Sequence, residues 1–393
     1  MPSYRYLIAG GGLTADGACK GIRDLDHDGS IGLVGAEPHP PYLRPPLSKD
    51  LWKGDPEEKI WRGTADLGVG LHLSRTVVSL DLSKHEATDN EGETYSYERL
   101  LLATGGTPRR LPFGGDDVIY YRTLDDYRQL RTLADARARC VVIGGGFIGS
   151  EIAAALAMNE CPVTIVFPDP GVCSRIFPAD LSAFVTDYYR EKGVEVLAGG
   201  SVTGIERDGD HSHVMIGEGQ TLEADIVIAG LGIEPNTELA AAAGLPVDDG
   251  VPVDEFGRVD RRDDVFAAGD VARFPEAGLD ELVRVEHEDH AKSHGRAVGK
   301  NMAGAEQPYD RLPFFYSDLF DLGYEAVGDI DARRETLAEW RTPNRKGLIY
   351  YLDGDRRPRG VLLWNLFDHV DDARELIRAR ESIDERSLNH LLG

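Results

Sequence analysis

The stretch from Cys140 to Glu151, C-V-V-I-G-G-G-F-I-G-S-E, limits the possible folds of this chain more than any other. An apolar, β-branched run this short reads as a buried strand, and it ends in glycines spaced as G-x-G-x-x-G. Gly144 allows the tight turn, Gly146 lets the backbone approach a pyrophosphate, and Gly149 lets the following helix pack closely on the strand. The N–H groups that open that helix then face the anion. The same grammar occurs 134 residues earlier in Y-R-Y-L-I-A-G-G-G-L-T-A, Tyr4 to Ala15, with Gly10 and Gly12 in the first two places and Ala15 in the third. Two such units imply two dinucleotides and two parallel sheets with helices against them.

A chain of 393 residues has room for roughly two or three domains. Asp and Glu exceed Lys and Arg by 25, 68 against 43, a field that repels nucleic acid and anionic membranes. The cations are 9 Lys and 34 Arg, a pattern open to two readings, a salty cytoplasm or ordinary solubilising charge. The N-terminus enters its first strand without a basic and then apolar leader, and no apolar run approaches the ~20 residues that span a bilayer. A cytoplasmic protein without a membrane span is expected. Cys19, Cys140, Cys161 and Cys173 include no C-x-x-C or C-x4-C pair, so the sequence offers no ready zinc site or redox dithiol.

After the first unit, an amphipathic segment from about Thr14 to Leu25 leads to a strand, Ser30 to Val34, and then to Glu37. An acid there, some 27 residues past Gly10, is placed to grip an adenosine ribose. Pro38 to Lys49 holds five prolines, which excludes a helix interior or central strand and predicts a stiff loop carrying Arg44 and Lys49. Short strands at Val77 to Asp81, His85 to Asp89 and Thr94 to Tyr97 suggest a meander laid over the parallel sheet. A separate buried strand, Leu100 to Ala103, closes on Thr104 and Gly105.

The second unit opens with a helix around Asp125 to Ala136, and its second strand, Pro162 to Phe167, ends at Asp169. A further meander precedes the strand Ile226 to Gly230, another strand from Val265 is capped by Asp270, and a polar helix is expected from about Glu286 to Met302. From Pro308 onward the pattern changes to antiparallel strands and a closing helix, a third domain. His287 and His290, with Glu286 and Asp289, resemble a metal pair, but the spacing is not H-E-x-x-H and no metal is expected. His211 and His213 are expected in a polar, solvent-facing turn.

The order of motifs resembles the two-dinucleotide flavoprotein reductases, in the branch of apoptosis-inducing factor and the oxygenase-type ferredoxin reductases. The matching residues are P-Y-L-R-P-P-L-S-K at 41–49, L-L-L-A-T-G at 100–105, V-V-I-G-G-G-F-I-G-S-E at 141–151, A-A-G-D at 267–270 and V-E-H-E-D-H-A at 285–291. F-P-D-P-G at 167–171 and F-Y-S-D-L at 315–319 are especially similar to apoptosis-inducing factor. The resemblance covers nearly the whole chain. It implies an α/β fold with two Rossmann-like domains and a C-terminal α+β domain. An FAD domain split as 1–108 and 232–306 would surround an NAD domain at 109–231, with the C-terminal domain at 307–393.

On this resemblance, the first glycine motif, Glu37, Ala103 and Gly105 hold FAD, Arg44 and Lys49 lie along the flavin, Val78 meets the adenine through its backbone, and Asp270 binds the ribityl chain. Glu286 and His287 would open a helix aimed at the flavin pyrimidine ring, where negative charge gathers on reduction. Gly144, Gly146, Phe147, Ile148 and Gly149 would bind the nicotinamide dinucleotide, with Gly232 closing the pocket. Asp169 favours NADH over NADPH by repelling an extra phosphate, although Arg175 is placed to accept one. Lys49 and Glu151 are the expected polar pair beside the flavin, with Glu151 reaching across the domain boundary.

Blander readings stand beside these roles: Glu151 as an ordinary first-turn glutamate, Lys49 as a solvated charge, and the cysteines as small buried hydrophobes. Tyr316 stands where apoptosis-inducing factor has a tryptophan. The implied activity is NADH-dependent reduction of FAD, with electrons passed to a small iron–sulfur carrier. The alternatives are a redox-responsive binding protein with slow turnover and a reductase of quinone or oxygen. A homodimer is compatible with the pattern. Arg333, Arg334, Arg345, Lys346, Arg356, Arg357 and Arg359 are the candidate docking patch for an acidic carrier.

Overall fold

In the computed structural model, which describes residues 1–217 and 219–384, the two glycine-bearing strands lie inside two different parallel sheets. The helices in chain order are α1 (Leu13–Arg23), α2 (Leu124–Ala134), α3 (Phe147–Met158), α4 (Ala179–Glu191), α5 (Glu238–Ala242), α6 (Glu288–Met302) and α7 (Val370–Ala379). The chain divides into two compact units. The first is Met1–Leu43, Glu57–Thr107 and Glu234–Pro313; the second is Arg44–Pro56, Pro108–Ile233 and the chain from Phe314 onward.

In the first unit the strand Ser3–Ala9 pairs in parallel with Ile31–Gly35 on one side and Thr94–Leu102 on the other. Leu7 and Ile8 are fully buried there, as strands covered on both faces should be. Val69–Leu73 extends the sheet beyond Ile31–Gly35, and Val265–Ala267 joins Thr94–Leu102 in parallel. The meander expected to lie over this sheet is part of it. Thr94–Leu102 is one strand, and its first residues pair antiparallel with Glu86–Asp89, which in turn pairs with Val77–Asp81. The polar residues Glu98 and Arg99 read as a break, yet Arg99 keeps register with Tyr6, and its guanidinium reaches the Met302 carbonyl.

α1 and α6 cross at backbone distance. A Cβ on Gly21 would sit 2.1 Å from the Arg296 carbonyl oxygen, and one on Gly299 would sit 2.2 Å from that of Ala18. Glycine in a helix interior costs about 1 kcal/mol relative to alanine, so its use here reflects packing rather than propensity. Ala15, Ala18, Ile22, Val298 and Met302 fill the core with Ile8, Leu33 and Phe266 from the sheet.

The second unit holds five parallel strands in the order Glu195–Ala198, Val163–Phe167, Cys140–Ile143, Ile226–Ala229, Val118–Tyr120. Its antiparallel meander is Val202–Asp208, His211–Ile216 and Gln220–Ala224. His211 and His213 therefore sit on a strand and not in a turn. Ser212 between them is buried, and His211 Nδ1 lies 2.7 Å from Asp225. From Phe314 a five-stranded antiparallel sheet follows in the order Phe314–Leu319, Leu322–Gly328, Pro358–Trp364, Lys346–Leu352, Glu335–Thr342. Trp364 is fully buried within it, and α7 contributes Ala373 and Ile377 to the interior.

Candidate functional site

The first unit builds a phosphate cradle from its opening strand. Gly10 has φ +133°, and a Cβ there would lie 2.0 Å from the Ala103 oxygen, so only glycine fits. Gly12 is the N-cap of α1 and no side chain caps the helix; a Cβ on Gly12 would meet nothing within 4 Å. Ala15 is fully buried against the sheet. An uncapped helix start with an open side and a close-packed floor suits a pyrophosphate.

Around this cradle, Glu37 follows the strand Ile31–Gly35 and accepts a 2.5 Å hydrogen bond from the Tyr42 hydroxyl. Val78 is the extra residue of a bulge, since the pairing skips from Val77 to Ser79; this leaves its backbone out of the ladder and its side chain 53% exposed. Ala103 is buried and Gly105 has φ +66°. Asp270 sits in the 3-10 turn Gly269–Val271. The Arg284 guanidinium donates to the Asp270 carbonyl at 3.3 Å and to Glu286 at 2.5 Å. α6 starts at Glu288, two residues later than expected, because His287 is its N-cap and accepts the Asp289 N–H at 3.4 Å.

The second unit repeats the cradle. Gly144 has φ +113°, and a Cβ on Gly149 would lie 1.9 Å from the Gly144 oxygen. Gly146 caps α3 without a side-chain hydrogen bond, and nothing lies within 4 Å of a Cβ placed on it. Phe147 and Ile148 are exposed beside it, and the Phe147 ring stacks on Phe315 with centroids 6.3 Å apart and planes 11° off parallel. At the end of Val163–Phe167, Asp169 lies 3.4 Å from the Arg175 guanidinium, and Arg175 is 82% exposed. Gly232 has φ +81° and is exposed.

Lys49 and Glu151 belong to the same unit, so no reach across a boundary is needed. Lys49 Nζ lies 2.5 Å from Glu151 Oε1, with side-chain exposures of 9% and 5%. The serine hydroxyls of Ser48 and Ser317 donate to the two carboxylate oxygens, each at 2.5 Å. A buried carboxylate with an ammonium and two hydroxyl donors is compensated as a charge. Both bland readings therefore fail, the solvated lysine and the ordinary first-turn glutamate. The Tyr316 ring lies under the ammonium, with its centroid 5.6 Å from Nζ. Arg44 donates to the Arg122 carbonyl at 2.8 Å.

Ser48 and Ser317 were not singled out from the sequence, although both stand inside quoted motifs. Phe147 and Glu151 share one face of α3 at i and i+4, and Phe315 and Ser317 share one face of their strand at i and i+2.

The arginines expected to form one docking patch do not. Arg333, Arg334, Arg356 and Arg357 pair with Asp331, Asp329, Glu335 and Asp355. Arg345 and Lys346 lie at the opposite end of the strand Lys346–Leu352, where Arg345 packs over Phe184 and Tyr188. All four cysteines are free and buried, and burial pushes the Cys19 and Cys173 thiols up to about 12.

Two parallel sheets, each opening on an uncapped glycine cradle, define a two-dinucleotide oxidoreductase. A protein-family model described as pyridine nucleotide-disulphide oxidoreductase matches residues 4–295, and one described as apoptosis-inducing factor, mitochondrion-associated, C-term matches 298–346. The chain belongs to the pyridine nucleotide-disulphide oxidoreductase family and is an FAD- and NAD(P)H-dependent flavoprotein reductase.

It is 33% identical to mitochondrial apoptosis-inducing factor 1 of Dictyostelium discoideum over 434 aligned residues, covering 100% of this chain and 81% of the relative. It is 34% identical to monodehydroascorbate reductase of Pisum sativum, covering 83% of this chain and 82% of that one. Among solved structures it is similar to the reductase of a covalent putidaredoxin reductase–putidaredoxin complex, with TM-score 0.91, 30% identity and coverage of 98% and 95%. No helix among the described residues is long and apolar enough to cross a membrane.

Proposed function

We propose that the chain is an NADH-dependent FAD reductase that passes electrons to a separate ferredoxin-type iron–sulfur carrier. FAD, when bound, supplies an acceptor for the nicotinamide hydride and a donor of electrons to a carrier. The FAD residues are Gly10, Gly12, Ala15, Glu37, Val78, Ala103, Gly105, Asp270, Glu286 and His287, with Arg44 along the flavin. The nicotinamide residues are Gly144, Gly146, Phe147, Ile148, Gly149, Asp169, Arg175 and Gly232. The FAD domain is 1–108 with 232–306, the NAD domain 109–231 and the C-terminal domain 307–393.

The observation that carries this reading is the buried Lys49–Glu151 pair with its two serine donors. Glu151 holds the Lys49 ammonium in one place, and the ammonium supplies fixed positive charge where a reduced flavin gathers negative charge. No side chain has to act as a strong base. NADH is favoured over NADPH because Asp169 accepts ribose hydroxyls and repels a 2′-phosphate, while the Arg175 guanidinium beside it offsets part of that repulsion.

The partner reading draws on the putidaredoxin complex among similar structures, and a small-molecule acceptor draws on the monodehydroascorbate reductase among relatives. The intramolecular pairing of the C-terminal arginines favours the small acceptor more than the sequence did. A cytoplasmic location and a homodimer remain part of the proposal. The test is to reduce the purified holoprotein with NADH and mix it with an iron–sulfur carrier or with a small quinone. Saturable reoxidation by the carrier supports the proposal. Reoxidation by the quinone alone replaces it with the second reading.

A further inference from the structure

The strongest group outside the described chemistry is a buried string of side chains along α6. His290 and His294 stand one turn apart on one face, 2% and 1% exposed. His294 Nδ1 accepts the backbone N–H of Gly269 at 3.3 Å, so the proton of this imidazole is on Nε2. His290 Nε2 lies 3.2 Å from the same Nδ1 and must be the donor. The remaining His290 nitrogen, Nδ1, therefore accepts from the Tyr309 hydroxyl at 3.3 Å. With its own proton given to His290, Tyr309 Oη accepts from Ser293 Oγ at 2.8 Å, and the Asp289 carbonyl, 2.7 Å from the same Oγ, is the alternative acceptor for that one serine proton. Phe274 stacks on His290 at 4.8 Å and Tyr309 on His294 at 4.6 Å.

The other end of the string is the turn Gly269–Val271. Gly269 has φ +74°, and a Cβ there would lie 2.1 Å from Thr14 Oγ1, so no side chain can anchor the turn at this residue. The turn is tied instead by its backbone, with the Gly269 N–H to His294 on one side and the Asp270 carbonyl to Arg284 on the other. We propose that His294 is a positioning residue: by accepting the Gly269 N–H it fixes the turn that presents Asp270 to FAD. This rests on the reading of Asp270 as an FAD ligand. The role requires a neutral imidazole, because a protonated Nδ1 cannot accept. Burial keeps it neutral, lowering the His294 pKa to about 3, and it lowers that of His290 well below the usual value, with the His294 and His287 charges adding to the effect. Asp289 on the same helix is paired with Arg311 at 2.9 Å.

A mere core-filling role and a positioning role respond differently to two isosteres. The asparagine Oδ1 of His294→Asn falls near Nδ1, whereas the glutamine Oε1 of His294→Gln falls near Nε2. The full chain is stripped of flavin, its FAD Kd is titrated by fluorescence quenching, and exchange of the Gly269 amide is followed by NMR. His294→Asn should keep the wild-type Kd and slow exchange. His294→Gln should raise the Kd on the order of tenfold, one hydrogen bond's worth, and speed exchange. Wild-type exchange and Kd in His294→Gln would overturn the proposal. If His294→Gln does not fold, His294→Leu decides, since it keeps a buried side chain of similar size and removes the acceptor of the Gly269 N–H; wild-type Gly269 exchange there would equally overturn the proposal. Asp270→Ala separates the two levels. If it leaves the FAD Kd unchanged, the reading of Asp270 fails, whereas a weakened Asp270→Ala beside a wild-type His294→Gln sinks the positioning role alone.

Discussion

Replacing Glu151 with alanine isolates the buried charge pair. The wild-type carboxylate is 5% exposed and receives Lys49, Ser48 and Ser317. Its removal leaves a buried ammonium without a counter-charge, a loss of about 3–5 kcal/mol. In a unit of roughly two hundred residues each kcal/mol shifts the midpoint by about 2–4 °C, so the holoprotein should melt about 6–20 °C lower. The double variant Lys49→Met with Glu151→Leu removes both charges and fills the space with apolar atoms, which is often neutral or better. It should recover most of the lost stability and none of the hydride-transfer rate. Calorimetry of the wild type, Lys49→Met, Glu151→Leu and their double measures the coupling, and stopped-flow absorbance measures the rate. A cost of less than about 1 kcal/mol for Glu151→Ala, or a double variant no more stable than Glu151→Ala, would refute a buried charge pair of this kind.

Two further outcomes follow from the same geometry. Asp169→Asn keeps the shape but loses a charge-assisted hydrogen bond of about 1.5–3 kcal/mol, so the KM for NADH should rise about 10- to 150-fold while that for NADPH falls; equal changes for both coenzymes would contradict the assignment. His294 has a folded pKa of about 3, below its unfolded value, so the unfolded chain binds the extra proton. The stability this group contributes is complete above about pH 6.5 and is lost by about 1.4 kcal/mol per pH unit as pH falls toward 3. Urea midpoints from pH 7.5 to 4.5 should therefore drop more steeply for wild type than for His294→Asn, and parallel curves would contradict this.

Both cradles were legible because their signal is local: a few residues of strand, glycines whose Cβ atoms have no room, and a small third residue such as Ala15 or Gly149. Glu37 was singled out because it lies just past the apolar strand Ile31–Gly35, whereas the role given to Asp270 came from the resemblance. The Lys49–Glu151 contact joins residues 102 positions apart and came only from the resemblance. Ser48 and Ser317 gave no separate signal because a hydroxyl has neither charge nor a strong periodic preference. The arginine patch failed because closeness in sequence across two hairpins places residues at opposite ends of a sheet. His290 faces His294 at i+4 along α6, a pairing the sequence reading did not draw, while His287 lies at the helix cap.

The central claim is that NADH delivers its hydride to FAD held by this chain. Anaerobic mixing of the flavin-loaded protein with NADH, followed at the oxidised-flavin absorbance band, tests it directly. Saturable bleaching is expected, faster with NADH than with NADPH and strongly slowed in the Lys49→Met variant. Protein that retains FAD yet shows no bleaching with either coenzyme would contradict it.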